Sequence, residues 1–90
     1  MNKNELVDKV ATLTKLTKAD CQRVIDAVID TTRVKIKRGE EVRLVGFGTF
    51  VRSKRSARKG RNPQTGEEIQ IKSQWVPKFR PGKEFKEYLR

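Results

Sequence analysis

The sequence pattern changes from helical to extended around residues 42–51, Val42-Arg43-Leu44-Val45-Gly46-Phe47-Gly48-Thr49-Phe50-Val51. From residue 41 onward the apolar residues follow a period of two, which is typical of a half-buried β-strand. Gly46 and Gly48 flank Phe47, and glycine permits the positive φ that a tight turn requires. We therefore predict a strand, a tight turn and a second strand, with Phe47 and Phe50 in the core.

Two amphipathic helices precede this hairpin. Asn2, with Glu5 three residues later, has the spacing of a capping box, so the first helix begins at the N-terminus of the chain. The second helix is predicted to begin after Thr17 and to end at Gly39, with apolar residues at steps of three and four along one face. About 21 residues at 1.5 Å each make this helix roughly 30 Å long. Cys21 lies on its apolar face and is interpreted as a buried small hydrophobic residue.

Beyond the hairpin the pattern is extended, without helical periodicity. Residues 52–61 contain six cations and no acid, and the alternation divides them between two faces: Arg52, Lys54 and Arg58 on one, Arg55, Lys59 and Arg61 on the other. With cations on both faces, neither face can be buried in a protein core at tolerable cost. We therefore predict that residues 53–73 form a two-stranded ribbon, an arm that projects into solvent and is mobile until it binds a partner.

The tip of the predicted arm is the turn sequence Asn62-Pro63-Gln64-Thr65-Gly66. Pro63 is a turn former, but an apolar side chain at the tip of a cationic ribbon could also wedge between nucleic-acid bases. The residues alone leave both roles open. Asn62, Gln64 and Thr65 are interpreted first as turn formers, with contacts to sugar edges as their alternative role.

After the arm the apolar residues return, and Pro77 and Pro81 predict an edge-like or short strand. Trp75 is interpreted mainly as a packing residue at the base of the arm. A short C-terminal helix follows, and it must dock through its apolar side because eight residues make a marginal helix alone. The predicted fold is α+β: two N-terminal helices, a three-stranded antiparallel sheet with a protruding β-ribbon arm, and a short C-terminal helix.

The composition excludes several classes of function. The 90 residues carry a net charge of +11, with one cysteine and no histidine. Without histidine or a cysteine cluster we expect no metal site, no cofactor, no catalytic residue and no small-molecule substrate. The sequence shows neither the run of about 20 apolar residues of a membrane span nor a signal-peptide pattern. The charge makes nucleic acid the leading candidate partner and an anionic membrane surface the second.

The predicted core is too small for one chain. Removal of the arm, residues 53–73, leaves 69 of the 90 residues, and below roughly 70–80 residues a single core supplies little surplus stability. We therefore predict one domain that forms a homodimer with its arms side by side: residues 1–39 as the helical dimerisation part and residues 40–90 as the sheet. The predicted dimer core comprises Val28, Ile29, Ile36, Leu44, Phe47, Phe50 and Phe79.

Several motifs together resemble the bacterial histone-like HU and integration host factor family: Gly46-Phe47-Gly48-Thr49-Phe50, then Arg55, Ala57-Arg58, Gly60-Arg61-Asn62-Pro63, Thr65-Gly66, Phe79 and Lys83. The resemblance covers essentially the whole chain, and departs from the family pattern at Lys72 and Trp75. It implies an intertwined homodimer whose two arms enter the DNA minor groove, with the tip proline inserted between base pairs to kink the duplex. It also implies a cytoplasmic, nucleoid-associated protein that condenses DNA.

The DNA-binding residues predicted from pattern and resemblance together are Lys3, Arg52, Lys54, Arg55, Arg58, Lys59, Arg61, Asn62, Pro63, Gln64, Thr65, Lys72, Arg80, Lys83 and Lys86. The length of the chain favours the HU side of the family, which binds double-stranded DNA without sequence specificity and is expected to prefer bent, nicked or distorted duplex. The first alternative is a sequence-preferring protein like integration host factor. An RNA-binding protein is the second, although stacking aromatics on an exposed sheet face are expected there. A membrane-surface protein would instead need a basic amphipathic helix.

Overall fold

The structure, a computed structural model, describes residues 1–56 and 58–90, and describes Arg58 and Ile71 by their backbone alone. Ala57 and the side chain of Arg58, both part of the sequence-based predictions, thus lie outside the described residues. The chain divides into two compact units, Met1–Val34 and Lys35–Arg90. In chain order the elements are α1 (Lys3–Thr14), α2 (Lys18–Lys37), β1 (Val42–Leu44), β2 (Gly48–Arg55), β3 (Arg58–Arg61), β4 (Glu68–Ile71), β5 (Gln74–Pro81) and α3 (Lys83–Tyr88).

The first unit is a pair of helices whose starts match the sequence prediction. The Asn2 side chain caps α1 by accepting a hydrogen bond of 2.9 Å from the Glu5 backbone N–H. The Thr17 hydroxyl accepts from the Asp20 N–H at 3.1 Å and thereby caps α2. A small core of Val7, Ala11 and Cys21 joins the two helices. Cys21 is only 1% exposed, which confirms its interpretation as a buried hydrophobic residue.

The C-terminus of α2 has the geometry of a Schellman motif. Gly39 adopts a left-handed φ of +86°. Its N–H donates to the Ile36 carbonyl at 2.9 Å, and the Glu40 N–H donates to the Lys35 carbonyl at 3.0 Å. These two bonds satisfy carbonyls that the end of a helix leaves without partners. The predicted stop of the helix at Gly39 is confirmed.

The second unit contains the predicted three-stranded antiparallel sheet, in the order β1-β2-β5. β1 pairs with the first three residues of β2, from Val42 opposite Phe50 to Leu44 opposite Gly48. β5 pairs with β2 along its whole length, from Pro81 opposite Gly48 to Gln74 opposite Arg55. Beyond Phe50 the paired residues of β2 and β5 therefore continue without β1.

The two glycines of the hairpin serve different purposes. The Phe47 N–H donates to the Leu44 carbonyl at 3.0 Å, and Gly46, with φ of +85°, takes the third position of this turn. Gly48 does not need a positive φ, contrary to the sequence expectation. A Cβ there would lie 2.5 Å from Phe79 Cζ and 2.7 Å from the Arg80 carbonyl oxygen. Gly48 is required for space, because β5 approaches β2 closely at this point.

The four phenylalanines form a cluster that holds the sheet and α3 together. The ring centroids of Phe79 and Phe50 are 4.9 Å apart, and those of Phe79 and Phe47 are 5.1 Å apart. Phe85 of α3 stacks on Phe47 at 5.1 Å, so the short helix docks through an aromatic contact as predicted. Phe47 itself lies in the turn rather than in a strand.

β5 is an edge strand, as its prolines predicted, but it is not short, since it spans eight residues. Pro77 and Pro81 are separated by four positions, so their nitrogens point to the same edge of the strand. That edge faces away from β2 and needs no backbone donors. The strand therefore retains its length despite two prolines.

Candidate nucleic-acid interface

The outer ribbon, defined as β3, the tip turn and β4 (residues 58–71), is the centre of the candidate site. β3 and β4 pair antiparallel, from Arg58 opposite Ile71 to Arg61 opposite Glu68. The predicted arm, residues 53–73, begins inside β2, because the last three residues of that strand pair with β5. The arm thus consists of a root that continues the sheet and an outer ribbon of two separate strands.

The tip turn is closed by backbone and side-chain hydrogen bonds of Asn62. Its side-chain oxygen accepts from the Gln64 N–H at 2.9 Å. Its backbone N–H donates to the Glu67 carbonyl at 2.8 Å, and its carbonyl accepts from the Gly66 N–H at 2.7 Å. Thr65 adds a hydroxyl that accepts from the Glu67 N–H at 3.3 Å. The turn-forming interpretation of Asn62 and Thr65 is confirmed, and Pro63 lies exposed within this ordered turn.

The arm carries a strong positive charge on its surface. Residues 53–73 include six Lys and Arg against two Glu, a net charge of +4. Within the described part of the chain the ion pairs lie elsewhere, so five arm cations keep their charge uncompensated by a salt bridge. These five are Lys54, Arg55, Lys59, Arg61 and Lys72. Such a surface attracts a polyanion.

Besides Arg52, four predicted contact residues lie outside the arm. Lys3 forms an ion pair with Asp26, and Arg80 forms one with Glu41 at 3.1 Å. Lys83 and Lys86 are exposed on α3. α3 is short, with six residues from Lys83 to Tyr88. Arg80 and Lys83 line one open cleft together with Arg43, a cation that the sequence analysis did not single out.

Arg52 and Trp75 pack against each other at the base of the arm. Trp75 is a packing residue there, as predicted, although it is 54% exposed. The Arg52 guanidinium carbon lies 3.9 Å from the centroid of the indole ring. Arg52 Nη1 also donates to the Lys37 carbonyl at 3.3 Å. This pairing depends on a cross-strand register that local periodicity does not report.

Two further properties bear on function. Across residues 1–56 and 58–90, His, Cys, Asp and Glu side chains do not gather in the groups of three or more that could hold a metal ion. Over the same residues, none of the helices has the length and hydropathy to cross a bilayer.

Comparison with known proteins gives one consistent result. A family model described as Bacterial DNA-binding protein matches residues 1–90. DNA-binding protein HU 1 of Bacillus subtilis is 51% identical over 87 residues, covering 97% of this chain and 95% of the relative. DNA-binding protein HU of Geobacillus stearothermophilus is 47% identical over 90 residues, covering 100% of both chains.

Comparison with solved structures leads to the same result. An Anabaena HU–DNA cocrystal structure aligns with a TM-score of 0.95 at 44% identity, over 99% of this chain and 97% of the other. HU from Thermotoga maritima aligns with a TM-score of 0.71 at 33% identity, over 100% of both chains. These matches extend over both helices, the sheet and the arm, and they place the chain among DNA-binding proteins rather than enzymes. This chain belongs to the bacterial DNA-binding protein family that includes HU.

Proposed function

We propose that this protein is an architectural protein of the nucleoid that binds double-stranded DNA through the minor groove, bends it and compacts it as a homodimer. The observation that carries the proposal is the exposed cationic arm, residues 53–73 with a net charge of +4, whose tip is a hydrogen-bonded turn that presents Pro63. It is supported by the alignment of nearly the whole chain with an HU structure determined together with DNA.

The dimensions of the arm favour a groove. The cationic segment 52–61 is ten residues long, and ten extended residues at about 3.3 Å each span roughly 33 Å, close to one turn of duplex. Arginine side chains suit the minor groove, where the negative potential deepens as the groove narrows. Arg55 and Arg61, both exposed, are the arginines proposed to enter the groove.

The side chains of the arm favour binding without sequence specificity. Few arm residues carry the amide that a bidentate contact with adenine needs, and the side-chain oxygen of Asn62 already accepts from the Gln64 N–H. The exposed cations of the arm are suited to phosphates, and the minor groove offers only a degenerate pattern of donors and acceptors. Binding is therefore driven by phosphate neutralisation.

Pro63 is the proposed wedge. Unstacking a base step costs a few kcal/mol, which is offset when the bent duplex contacts more cationic surface. A nicked or gapped duplex has already lost part of that stacking, so it binds more tightly than intact duplex.

The exposed apolar surface supports the homodimer. In the single chain the side chains of Val28 and Phe47 are 53% and 43% exposed, and Ile29 and Leu44 are exposed to a similar extent. Apolar side chains at core-type positions of a helix and a hairpin stay this exposed in a single chain only when another protein surface covers them. A second copy of the chain supplies it, and the thermal midpoint then rises with protein concentration. A midpoint independent of concentration, with a monomer mass in sedimentation, would refute the dimer.

One experiment tests the DNA proposal against its alternatives: titration of unrelated linear duplexes, a nicked duplex and an RNA hairpin over a range of salt concentrations. We expect similar affinities for all linear duplexes, tighter binding to nicked DNA and weaker binding to RNA. Affinity falls by about 0.9 log unit per log unit of salt for each phosphate neutralised. A preference of about 1,000-fold for one sequence would favour function like that of integration host factor. Tighter binding to the RNA hairpin would favour an RNA-binding role.

A further inference from the structure

We propose that Arg52, Trp75 and the Lys37 carbonyl form a latch that fixes the root of the arm, so that Arg52 is a positioning residue and not a phosphate contact. The proposal rests on the proposed function, since it assigns the arm's orientation a role in DNA bending. The sequence pattern places Arg52 among the DNA-contacting cations, and the geometry points to a different role.

Three contacts hold the Arg52 side chain. Its guanidinium carbon lies 3.9 Å from the centroid of the Trp75 ring, a close cation–π stack. Its Nη1 donates to the Lys37 carbonyl, the last of α2, at 3.3 Å. It also lies against Gly39, where an added Cβ would be 2.9 Å from Nη2. Arg52 is half-buried among these groups.

The Lys37 carbonyl needs this donor. The Schellman motif satisfies the Lys35 and Ile36 carbonyls through the Gly39 and Glu40 N–H groups. The Lys37 carbonyl accepts from Arg52 instead. A cation also suits the negative end of the helix dipole at this position. Arg52 lies in β2. Its guanidinium thus connects this strand to the end of α2 and to Trp75 in β5.

The latch lies where the sheet narrows from three strands to two. β1 pairs with β2 only as far as Phe50, so residues 51–55 of β2 have β5 as their sheet partner. A two-stranded pair is marginally stable alone. Trp75 is directly opposite Lys54 and diagonal to Arg52, so its ring lies on the same face of the strand pair and reaches the guanidinium. The stack therefore stabilises the strands where they lose their third partner.

Arginine and tryptophan are specifically suited to this role. The planar guanidinium can stack on the indole face and donate in its own plane to a carbonyl at the same time, which a lysine ammonium cannot do. Lys54 illustrates the contrast: its Nζ is 5.8 Å from the same ring centroid, at the limit of a cation–π contact. Lys54 provides the matched control, since it lies two residues away on the same strand face and loses the same charge on substitution.

The experiment compares Arg52→Gln, Trp75→Ala, Trp75→Phe and Lys54→Gln in two assays. The first measures amide hydrogen exchange of residues 53–55 and 74–76 in the DNA-free protein, with residues 48–50 as the internal reference for folding. We expect exchange at the root to accelerate by about two- to fivefold in Arg52→Gln and Trp75→Ala, the loss of one exposed cation–π contact. Trp75→Phe retains an aromatic face and Lys54→Gln retains the latch, so both should stay near the parent rate.

The second assay measures duplex affinity against salt concentration. Lys54→Gln removes a phosphate contact and flattens the slope by about 0.9. Arg52→Gln leaves the slope within about 0.3 of the parent, while the DNA bend angle decreases as it does in Trp75→Ala.

Unchanged exchange at the root in Arg52→Gln, or a slope flattened as much as in Lys54→Gln, would overturn the latch and return Arg52 to the phosphate contacts. If the parent itself shows no salt-dependent duplex binding, the proposed function fails instead. The exchange assay then still decides whether the latch exists, because it contains no DNA.

Discussion

The three-stranded sheet and the outer ribbon are both antiparallel β-structure, yet different interactions hold them. In the sheet, Phe79 contacts the rings of Phe47, Phe50 and Phe85. The outer ribbon has no aromatic residue, and its opposed pairs include Lys59 with Gln70 and Arg61 with Glu68. Aromatic packing therefore stabilises the sheet, whereas most of the described residues of the outer ribbon are exposed and contribute little to a core. Substitutions should therefore separate folding from DNA binding according to which region they change.

The largest expected effect is on Phe79. Phe79→Ala should lower the free energy of unfolding by about 3–5 kcal/mol, because it removes a ring that touches three others. Ile69→Ala in β4 should change it by less than about 0.5 kcal/mol, because Ile69 is already 45% exposed. Urea denaturation at one fixed protein concentration measures both. Equal losses of unfolding free energy would show that the outer ribbon contributes to the folding core as much as the sheet does.

Substitution of two glycines tests the same contrast between the sheet and the outer ribbon. Gly48→Ala should destabilise the fold by about 1–3 kcal/mol, because its Cβ would clash with Phe79 and the Arg80 carbonyl. Gly66→Ala meets open space but a φ of +71°, so its strain of about 1–2 kcal/mol should be confined to the tip turn. Thermal unfolding reports the first change, and amide exchange of residues 62–67 reports the second. A lower thermal unfolding midpoint of Gly66→Ala would contradict the expectation that strain at the tip turn stays local.

A cation in the arm should affect binding without affecting stability. Arg55→Ala should weaken all duplexes similarly and flatten the salt slope by up to about one unit. Arg33→Ala is the matched control, since Arg33 lies on α2 in an ion pair with Asp30 at 3.7 Å. We expect it to leave the slope unchanged. An equal effect of both variants would indicate that net charge, and not the position of the arm, drives binding.

The smallest and most specific effect concerns Pro63. Pro63→Ala should reduce the bend angle of intact duplex while changing affinity for nicked DNA by less than about twofold, because nicked DNA needs no wedge. Asn62→Ala, which removes the acceptor of the Gln64 N–H, reports the effect of a disrupted turn alone. Fluorescence energy transfer between labelled duplex ends measures the bend. If Pro63→Ala bends intact duplex as the parent does, Pro63 is a turn former only.

Much of the fold could be predicted because its signals are local. The caps at Asn2 and Thr17, the stop at Gly39 and the turn at Asn62 each depend on a few neighbouring residues, and the structure confirms them. The positive charge of the arm could also be predicted, because it depends only on the composition and alternation of its residues.

The exceptions share one cause. The reason for Gly48, the surface position of Trp75 and the internal contacts of Arg52 depend on residues more than ten positions away. Alternation determines which face of a strand a side chain takes, but it does not reveal which residue stands opposite. Arg52 and Lys54 are equivalent in the sequence pattern for this reason.

The sequence by itself therefore determined the elements, their order and the cationic character of the arm, because period, capping and charge are carried by neighbours along the chain. The tertiary structure alone decided that β2 and β5 pair along eight residues, that a Cβ has no room at Gly48, and that Trp75 meets Arg52. These are consequences of long-range register, which brings together residues about 20 to 30 positions apart. Two basic residues on the same face of one strand thereby acquire different environments: Arg52 is held at the end of a helix, and Lys54 is exposed.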